Sequence, residues 1–290
     1  MGWIEITLPT TADEAEAVGE TMEAVGASAI TFGDEADEPL YEPAPGATPM
    51  WRRTRVVGLF PAEVDRDAVL AELGRLHTLP ADVTLREVVD QEWTRAWMDH
   101  FRPMRFGERL WICPTDHPAP ETDGLIIRLD PGLAFGSGTH PTTRLCLEWL
   151  DAHPPTDQRV IDYGCGSGIL AVAAALLGAR SVLGVDHDVQ AVRATRVNAE
   201  RNGVDNAVTA CRNEEEGEPR ADCMLANILA GPLCELAPHL AAMVEPGGDI
   251  ALSGILEEQA TTVAEHYAPW FELNPPTVLD GWVRLDGVRK

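Results

Sequence analysis

VIDYGCGSGIL, residues 160–170, carries an apolar run into three alternate glycines and out into an apolar run again. The order reads as a strand, a tight turn and the start of a helix. Gly164, Gly166 and Gly168 occupy the turn, where bare backbone at a helix N-terminus brings amide groups close to a ligand. A turn that merely joins two elements seldom needs three glycines. The dinucleotide fingerprint G-x-G-x-x-G would require glycine at 169, where the chain has Ile169, so an NAD-linked oxidoreductase is disfavoured. A nucleophile elbow fails too, because no serine stands in a G-x-S-x-G frame. The next strand, SVLGVD, ends in Asp186, at the distance from the glycines where a carboxylate accepts hydrogen bonds from ribose hydroxyls. The turn therefore reads as a nucleoside site.

Outward from that turn, strands and helices alternate. Strands are expected at 125–129 (LIIRL), 159–164, 181–186, near 207–211, at 223–227 (CMLAN) and at 249–255 (DIALSGI), with helices near 141–151, 168–177, 188–202 and 232–243. Such alternation predicts an α/β fold with a mostly parallel, doubly wound sheet, whose ligands lie at the carboxyl ends of its strands. The strand at 223–227 ends in Asn227, which either serves the site or caps the helix that follows.

The N-terminal third has a different texture. WIEITL (3–8) alternates as a half-buried strand, and Thr11 with Glu14 reads as a capping box for a helix that buries Ala15, Val18, Met22 and Val25 and stops at Gly26. SAITF (28–32), RVVGLF (55–60), a helical 67–77 and VTLREV (83–88) complete a β-α-β-β-α-β order, that of a ferredoxin-like α+β domain. The acidic, Pro-rich 34–50 reads as a solvated loop, and Trp93, Trp97 and Phe101 form an aromatic stripe on a connecting helix over 92–101. The expected organisation is a domain over 1–90, a connector helix and hairpin over 91–124, and a second domain over 125–290.

Composition limits the partners. The chain has 290 residues, 45% of them hydrophobic, enough for a sizeable core. Its first residues lack the basic and apolar regions of a signal peptide, and no apolar run is long enough to span a bilayer, so a cytoplasmic protein is expected. Six scattered cysteines at no zinc-ligand spacing predict free thiols and no metal. A net charge of −25, with Lys290 the only lysine, argues against direct nucleic-acid binding. It fits a salt-adapted, arginine-biased composition or an acidic field that gathers a basic protein.

The glycine turn, the acid ahead of it (Asp162) and Asp186 together resemble the seven-strand S-adenosylmethionine-dependent methyltransferases. In amino-methyltransferases of that class the fourth strand ends in Asn/Asp-Pro-Pro-Tyr/Phe, whereas here Asn227 is followed by Ile228-Leu229-Ala230. The missing aromatic removes a stacking platform for a flat base and suits an aliphatic amine. DPGLAFGSGTHPTTRLCLEWL (130–150), MRFGERLWICP (104–114), ANILAGPLCELAP (226–238) and the ending GWVRLDGVRK, taken with the glycine turn, closely resemble the bacterial methyltransferases of large-subunit ribosomal protein eleven.

That resemblance implies a Rossmann-like methyltransferase domain, S-adenosylmethionine as methyl donor, and ribosomal protein eleven as partner. Lysine ε-amines and the N-terminal α-amine would be modified, up to trimethylation. It places cofactor contacts on Thr143, Gly164, Gly166, Asp186 and Asn227, with Asn227 also catalytic; Gly132, Gly136 and Gly138, read on their own, mark a candidate lid loop. It assigns substrate recognition to 1–90 and implies a monomer with no membrane or metal partner. The chain departs from the family after Asp186, with His187 and Val189 in place of an aliphatic residue and proline. A degenerate methyltransferase that only binds a ribosomal protein is the competing reading, and intact Gly164, Asp186 and Asn227 oppose it.

Overall fold

The computed structural model describes residues 2–36, 50–77, 83–89, 102–129, 140–217 and 219–290. The chain divides into two compact units, Met1–Ala96 and Trp97–Lys290.

The first unit runs β1 (Gly2–Thr11), α1 (Ala12–Ala24), β2 (Ala29–Asp34), β3 (Arg53–Pro61), α2 (Arg66–Leu76) and β4 (Thr84–Val89). Its sheet has the order β2-β3-β1-β4, with every neighbouring pair antiparallel. Period-2 alternation in β1 sends Ile4, Ile6 and Leu8 into a core shared with Val18 and Met22 of α1 and Leu73 of α2. The capping box expected at Thr11 does not form. Thr11 is the N-cap residue, but its hydroxyl makes no capping bond, and it is Thr10 that donates to Glu14, at 3.2 Å. The N-terminus of α2 is capped by Asp65, which accepts from the amides of Asp67 and Ala68. The connecting helix expected at 92–101 and most of the loop expected at 34–50 lie outside the described residues.

The second unit is built on an eight-stranded sheet. Its strands are β8 (Arg159–Tyr163), β9 (Ser181–Asp186), β10 (Val208–Arg212), β11 (Ala221–Asn227), β12 (Val244–Leu256), β13 (Phe271–Leu273), β14 (Thr277–Leu279) and β15 (Trp282–Arg289). They lie in the order β10-β9-β8-β11-β12-β15-β13, with β14 paired to β15. The first five are parallel to their neighbours, and β15 runs antiparallel to β12, β13 and β14. The helices of this unit are α3 (Pro141–Ala152), α4 (Ile169–Leu176), α5 (Val189–Arg201), α6 (Ala230–Met243) and α7 (Ala260–Tyr267).

Both sheet faces are buried, which explains the near-continuous apolar runs of the parallel strands. Val160, Leu225 and Ala251 face Leu147 and Leu170 on one side. Ile161, Met224 and Ile250 face Leu233, Leu240 and Tyr267 on the other. At the far end of the chain, the Nζ of Lys290 donates to the Ala268 carbonyl at 2.5 Å.

The strand expected at 125–129 forms but belongs elsewhere. β7 (Leu125–Arg128) pairs in parallel with β6 (Leu110–Cys113), which pairs with β5 (Met104–Phe106) in a separate three-stranded sheet. The small sheet thus spans position 124, within the unit Trp97–Lys290. Ile112 and Ile127 enter the same core as Leu147 and Leu170. Buried Asp151 of α3 holds the β5–β6 turn by accepting from the amides of Glu108 (2.6 Å) and Arg109 (3.3 Å) and from the Nε of Arg109 (3.2 Å).

Candidate functional site

The glycine turn stands between the carboxyl end of β8 and the start of α4. Gly164, Gly166 and Gly168 all have positive φ, +76°, +53° and +77°, a conformation that excludes most side chains. Gly164 is also crowded, since a Cβ there would come within 2.2 Å of the Cγ2 of Ile228. Its amide donates to the Val185 carbonyl at 2.7 Å, tying the turn to β9. From the other side α5 braces the turn. The Nδ2 of Asn198 donates to the Ser167 carbonyl at 2.8 Å, and the Thr195 hydroxyl donates to the Gly166 carbonyl at 3.2 Å. Sequence reasoning passed over Thr195 and Asn198, although two buried polar residues three positions apart on a helix are a legible signal of a braced loop.

Asp186, at the carboxyl end of β9, is nearly buried. Its Oδ2 accepts from the Gly166 amide and its Oδ1 from the Asp188 amide, each at 3.0 Å. Each oxygen keeps lone-pair capacity for a further donor. His187, by contrast, has a side chain 90% exposed, with Nδ1 3.4 Å from the Asp186 carboxylate. Val189 opens α5 as an exposed residue, and Asp188 caps that helix by accepting from the Gln190 amide. Asp162 is fully buried under the turn and accepts from the Ala171 amide at 3.0 Å. Burial carries its carboxyl up to about 7, against the lowering effect of that amide and with the help of the nearby Asp186 charge.

Asn227 ends β11, beside the glycine turn's neighbour Ile228. It does not cap the following helix, which begins at Ala230 with Leu229 as its N-cap residue. Instead its Nδ2 donates to the hydroxyl oxygen of fully buried Thr143 at 3.4 Å. Its Oδ1 is buried with no hydrogen-bond partner among the described residues, an acceptor left for a donor from outside the chain. The backbone next to it is tightly placed. Gly254 of β12 has φ +86°, and a Cβ there would lie 2.2 Å from the Ile228 carbonyl oxygen. Ile228 is thus held between Gly164 and Gly254, and Asn227 with it.

Thr143 comes from the first turn of α3, whose N-cap residue, His140, pairs through Nδ1 with the Thr142 hydroxyl at 2.8 Å. Burial holds the His140 imidazole below the ordinary histidine range. Trp282, at the start of β15, meets His140 edge-on with ring centroids 4.7 Å apart. Neither was singled out from the sequence, because their contact spans some 140 positions. Thr139 and the three lid glycines lie outside the described residues.

The structure brings Gly164, Gly166 and Asp186 together, and separately Thr143 and Asn227, with Ile228 linking the two sets. This donor set fits S-adenosylmethionine: a close-approach glycine turn, a carboxylate with open acceptor capacity and an unpartnered amide oxygen. Among the described residues no group of three or more His, Cys, Asp or Glu side chains is placed to hold a metal ion. The six cysteines are free thiols.

Known proteins resemble this chain over its whole length. Residues 2–290 match the family model "Ribosomal protein L11 methyltransferase (PrmA)". The chain is similar to the ribosomal protein L11 methyltransferases of Pseudomonas putida strain W619, 51% identical over 292 residues, and of Azotobacter vinelandii, 51% identical over 294 residues; each alignment covers 100% of both chains. It is also similar to a crystal structure of a ribosomal protein L11 methylase from Lactobacillus delbrueckii subsp. bulgaricus, with TM-score 0.60 and 33% identity, covering 66% of this chain and 100% of that one.

Proposed function

This chain belongs to the ribosomal protein L11 methyltransferase family, and from that premise we propose how its residues perform the reaction. The protein is an S-adenosylmethionine-dependent methyltransferase that acts on protein lysines. Its substrate is ribosomal protein L11, modified at lysine ε-amines and at the N-terminal α-amine.

S-adenosylmethionine supplies an electrophilic methyl group carried on a sulfonium. Gly164 and Gly166 would let it approach the backbone closely, and the remaining lone pairs of Asp186 would accept its ribose hydroxyls. The attacking amine has to be neutral, yet a lysine with a solution pKa of ~10.4 is neutral only about one time in a thousand near pH 7.4. Desolvation of the amine as it enters the site, and the positive charge that a bound sulfonium would bring, would shift that balance toward the free amine. The Oδ1 of Asn227 then accepts an amine N–H and aims the nitrogen lone pair, while Thr143 fixes the amide's orientation. No residue is needed as general base, and positioning provides most of the acceleration.

The observation that carries this reading is the buried, unpartnered Oδ1 of Asn227 beside the glycine turn. Intact-mass analysis of L11 after incubation with enzyme and cofactor tests it. Asn227→Ala is expected to slow the first transfer about 100-fold; a variant that methylates at the full rate would remove Asn227 from catalysis. The unit Met1–Ala96 is the part we assign to recognition of L11. The same reading has the enzyme act as a cytoplasmic monomer on a protein rather than a nucleic acid. No helix among the described residues is long and apolar enough to cross a membrane.

A further inference from the structure

We propose that Arg284 is a positioning residue for methyl transfer, setting from β15 the contact between Thr143 and Asn227. The proposal rests on Asn227 as the amine's acceptor. β12 and β15 pair Leu252 with Leu285 and Ile255 with Val283, so Ser253 and Gly254 together face the single residue Arg284 across the ladder. Two residues against one make a β-bulge, an irregularity that re-aims side chains. Both bulge residues also touch the amine site. Ser253 is the parallel partner of Asn227, and Gly254 is bare where a Cβ would meet the Ile228 carbonyl. The buried Ser253 hydroxyl closes the bulge by donating to the Val283 carbonyl at 3.1 Å.

Arg284 and Asn227 share one side of the sheet. Cys223 and Leu225, in step with Asn227 along β11, pack in the core that receives Leu147 of α3. Val283 and Leu285, which flank Arg284, enter the opposite core, so the Arg284 side chain emerges on the α3 side. Its guanidinium is anchored there before it reaches the helix. Nε and Nη2 donate to the Oδ1 of Asp286 at 3.0 and 2.9 Å, and Nη2 also donates to the Thr277 hydroxyl at 2.8 Å. Asp286 is steadied in turn by the Nδ2 of Asn274, which donates to its Oδ2 at 2.8 Å. The remaining Nη1 donates to the Leu145 carbonyl at 3.1 Å, two residues past Thr143 in α3. Adjacent residues of β15 thus tie both halves of the amine site: Val283 through Ser253 to the strand pair that carries Asn227, and Arg284 through Leu145 to the helix that carries Thr143. The gap they span is narrow in tolerance. Asn227 meets the Thr143 hydroxyl at 3.4 Å, already beyond the usual N–H···O range of about 2.7–3.2 Å, so a small outward shift of α3 breaks the contact that orients the amide. A planar, rigid guanidinium can serve Asp286 and Leu145 at once, whereas an ammonium on a flexible stem cannot fix both.

The test reads the enzyme with and without its substrate. The side-chain amide of Asn227 has an NMR signal of its own, identified by its loss in Asn227→Ala, which reports the Thr143 contact in the absence of L11. Arg284→Lys keeps a cation for Asp286, and Arg284→Met combined with Asp286→Asn leaves no charge buried alone, so one folded variant suffices. Each is expected to shift the Asn227 signal, as Thr143→Val does, and to slow the first transfer to L11 about tenfold or more. In the Thr143→Val background, Arg284→Lys should add less than about a twofold loss, because residues acting through one contact are not additive. Losses that multiply, or an Asn227 signal that stays in place in folded protein, overturn the proposal, since a merely structural arginine would lower the melting temperature and do no more. A normal first transfer in Asn227→Ala sinks the acceptor role alone, and the Asn227 signal in Arg284→Lys still decides the positioning.

Discussion

At Asp186 one carboxylate serves two purposes. Two of its acceptor positions hold the amides of Gly166 and Asp188, and the others keep capacity for further donors, to which we assign the ribose. Removing the side chain would release the turn as well as the ligand, so Asp186→Asn is the cleaner probe. It keeps an acceptor oxygen but loses the charge, and a hydrogen bond to a charged group is worth ~1.5–3 kcal/mol. Titration calorimetry should show S-adenosylmethionine affinity falling at least tenfold; an unchanged affinity in folded protein takes Asp186 out of the site. Asp162 gives a stability prediction with a definite sign. Its native carboxyl titrates at about 7, above the unfolded value of ~3.9. Between those values the folded chain keeps a proton that the unfolded chain has released, so stability falls as pH rises through the window and the full cost remains above it. Asp162→Asn, which still accepts from the Ala171 amide, should raise the melting temperature relative to wild type at pH 8 and leave it little changed at pH 4. The placement of Gly164 and Gly166 in the turn and of Asp186 and Asn227 at strand ends is legible in the sequence because it follows from local spacing. The partnership of Thr143 with Asn227 is not, because it joins a helix start to a strand end 84 positions away.

Among the elements, most parallel strands and their helices match the expected spans to within two residues, since buried strands and amphipathic helices advertise themselves locally, whereas β12 begins five residues before 249 and the elements after it were not expected. Pairing partners do not. Nothing inside LIIRL distinguishes a strand of the main sheet from the strand that pairs with Leu110–Cys113. The clasp between that small sheet and α3 rests on Asp151, whose carboxylate satisfies two amides and a guanidinium while nearly buried. Asp151→Ala should cost about 2–3 kcal/mol, as expected for buried donors left unpaired, and calorimetry should show a lower melting temperature for the second unit. An unchanged melting temperature would mean that water replaces the carboxylate without loss. Gly254 makes a similar demand on β12. Alanine there adopts a strained φ of +86° and meets the Ile228 carbonyl, so Gly254→Ala should lose about 1–3 kcal/mol for the strain alone and slow methyl transfer through displaced Asn227.

For the whole molecule the charge decides how the enzyme responds to salt. With 47 acidic and 22 basic side chains, self-repulsion opposes the compact state at low ionic strength, where the Debye length is ~30 Å at 0.01 M against ~3 Å at 1 M. The arginine-biased, lysine-poor composition favours salt adaptation over substrate gathering. The melting temperature should therefore rise across a sodium chloride series while kcat/KM holds. A tenfold fall in kcat/KM with a flat melting temperature would show instead that the acidic field collects L11.

The single lysine has a consequence of its own. An enzyme that methylates lysines is a potential substrate for every neighbouring copy of itself, and at high concentration such copies would compete with L11. This chain offers them one ε-amine, and that one, on Lys290, is tied to the Ala268 carbonyl at the end of the last strand. Scarcity and tethering together leave the chain few lysine ε-amines for such chemistry to reach. Peptide mapping of enzyme incubated alone with excess S-adenosylmethionine should find Lys290 unmethylated, whereas a surface lysine introduced on an exposed segment would become a site of self-modification.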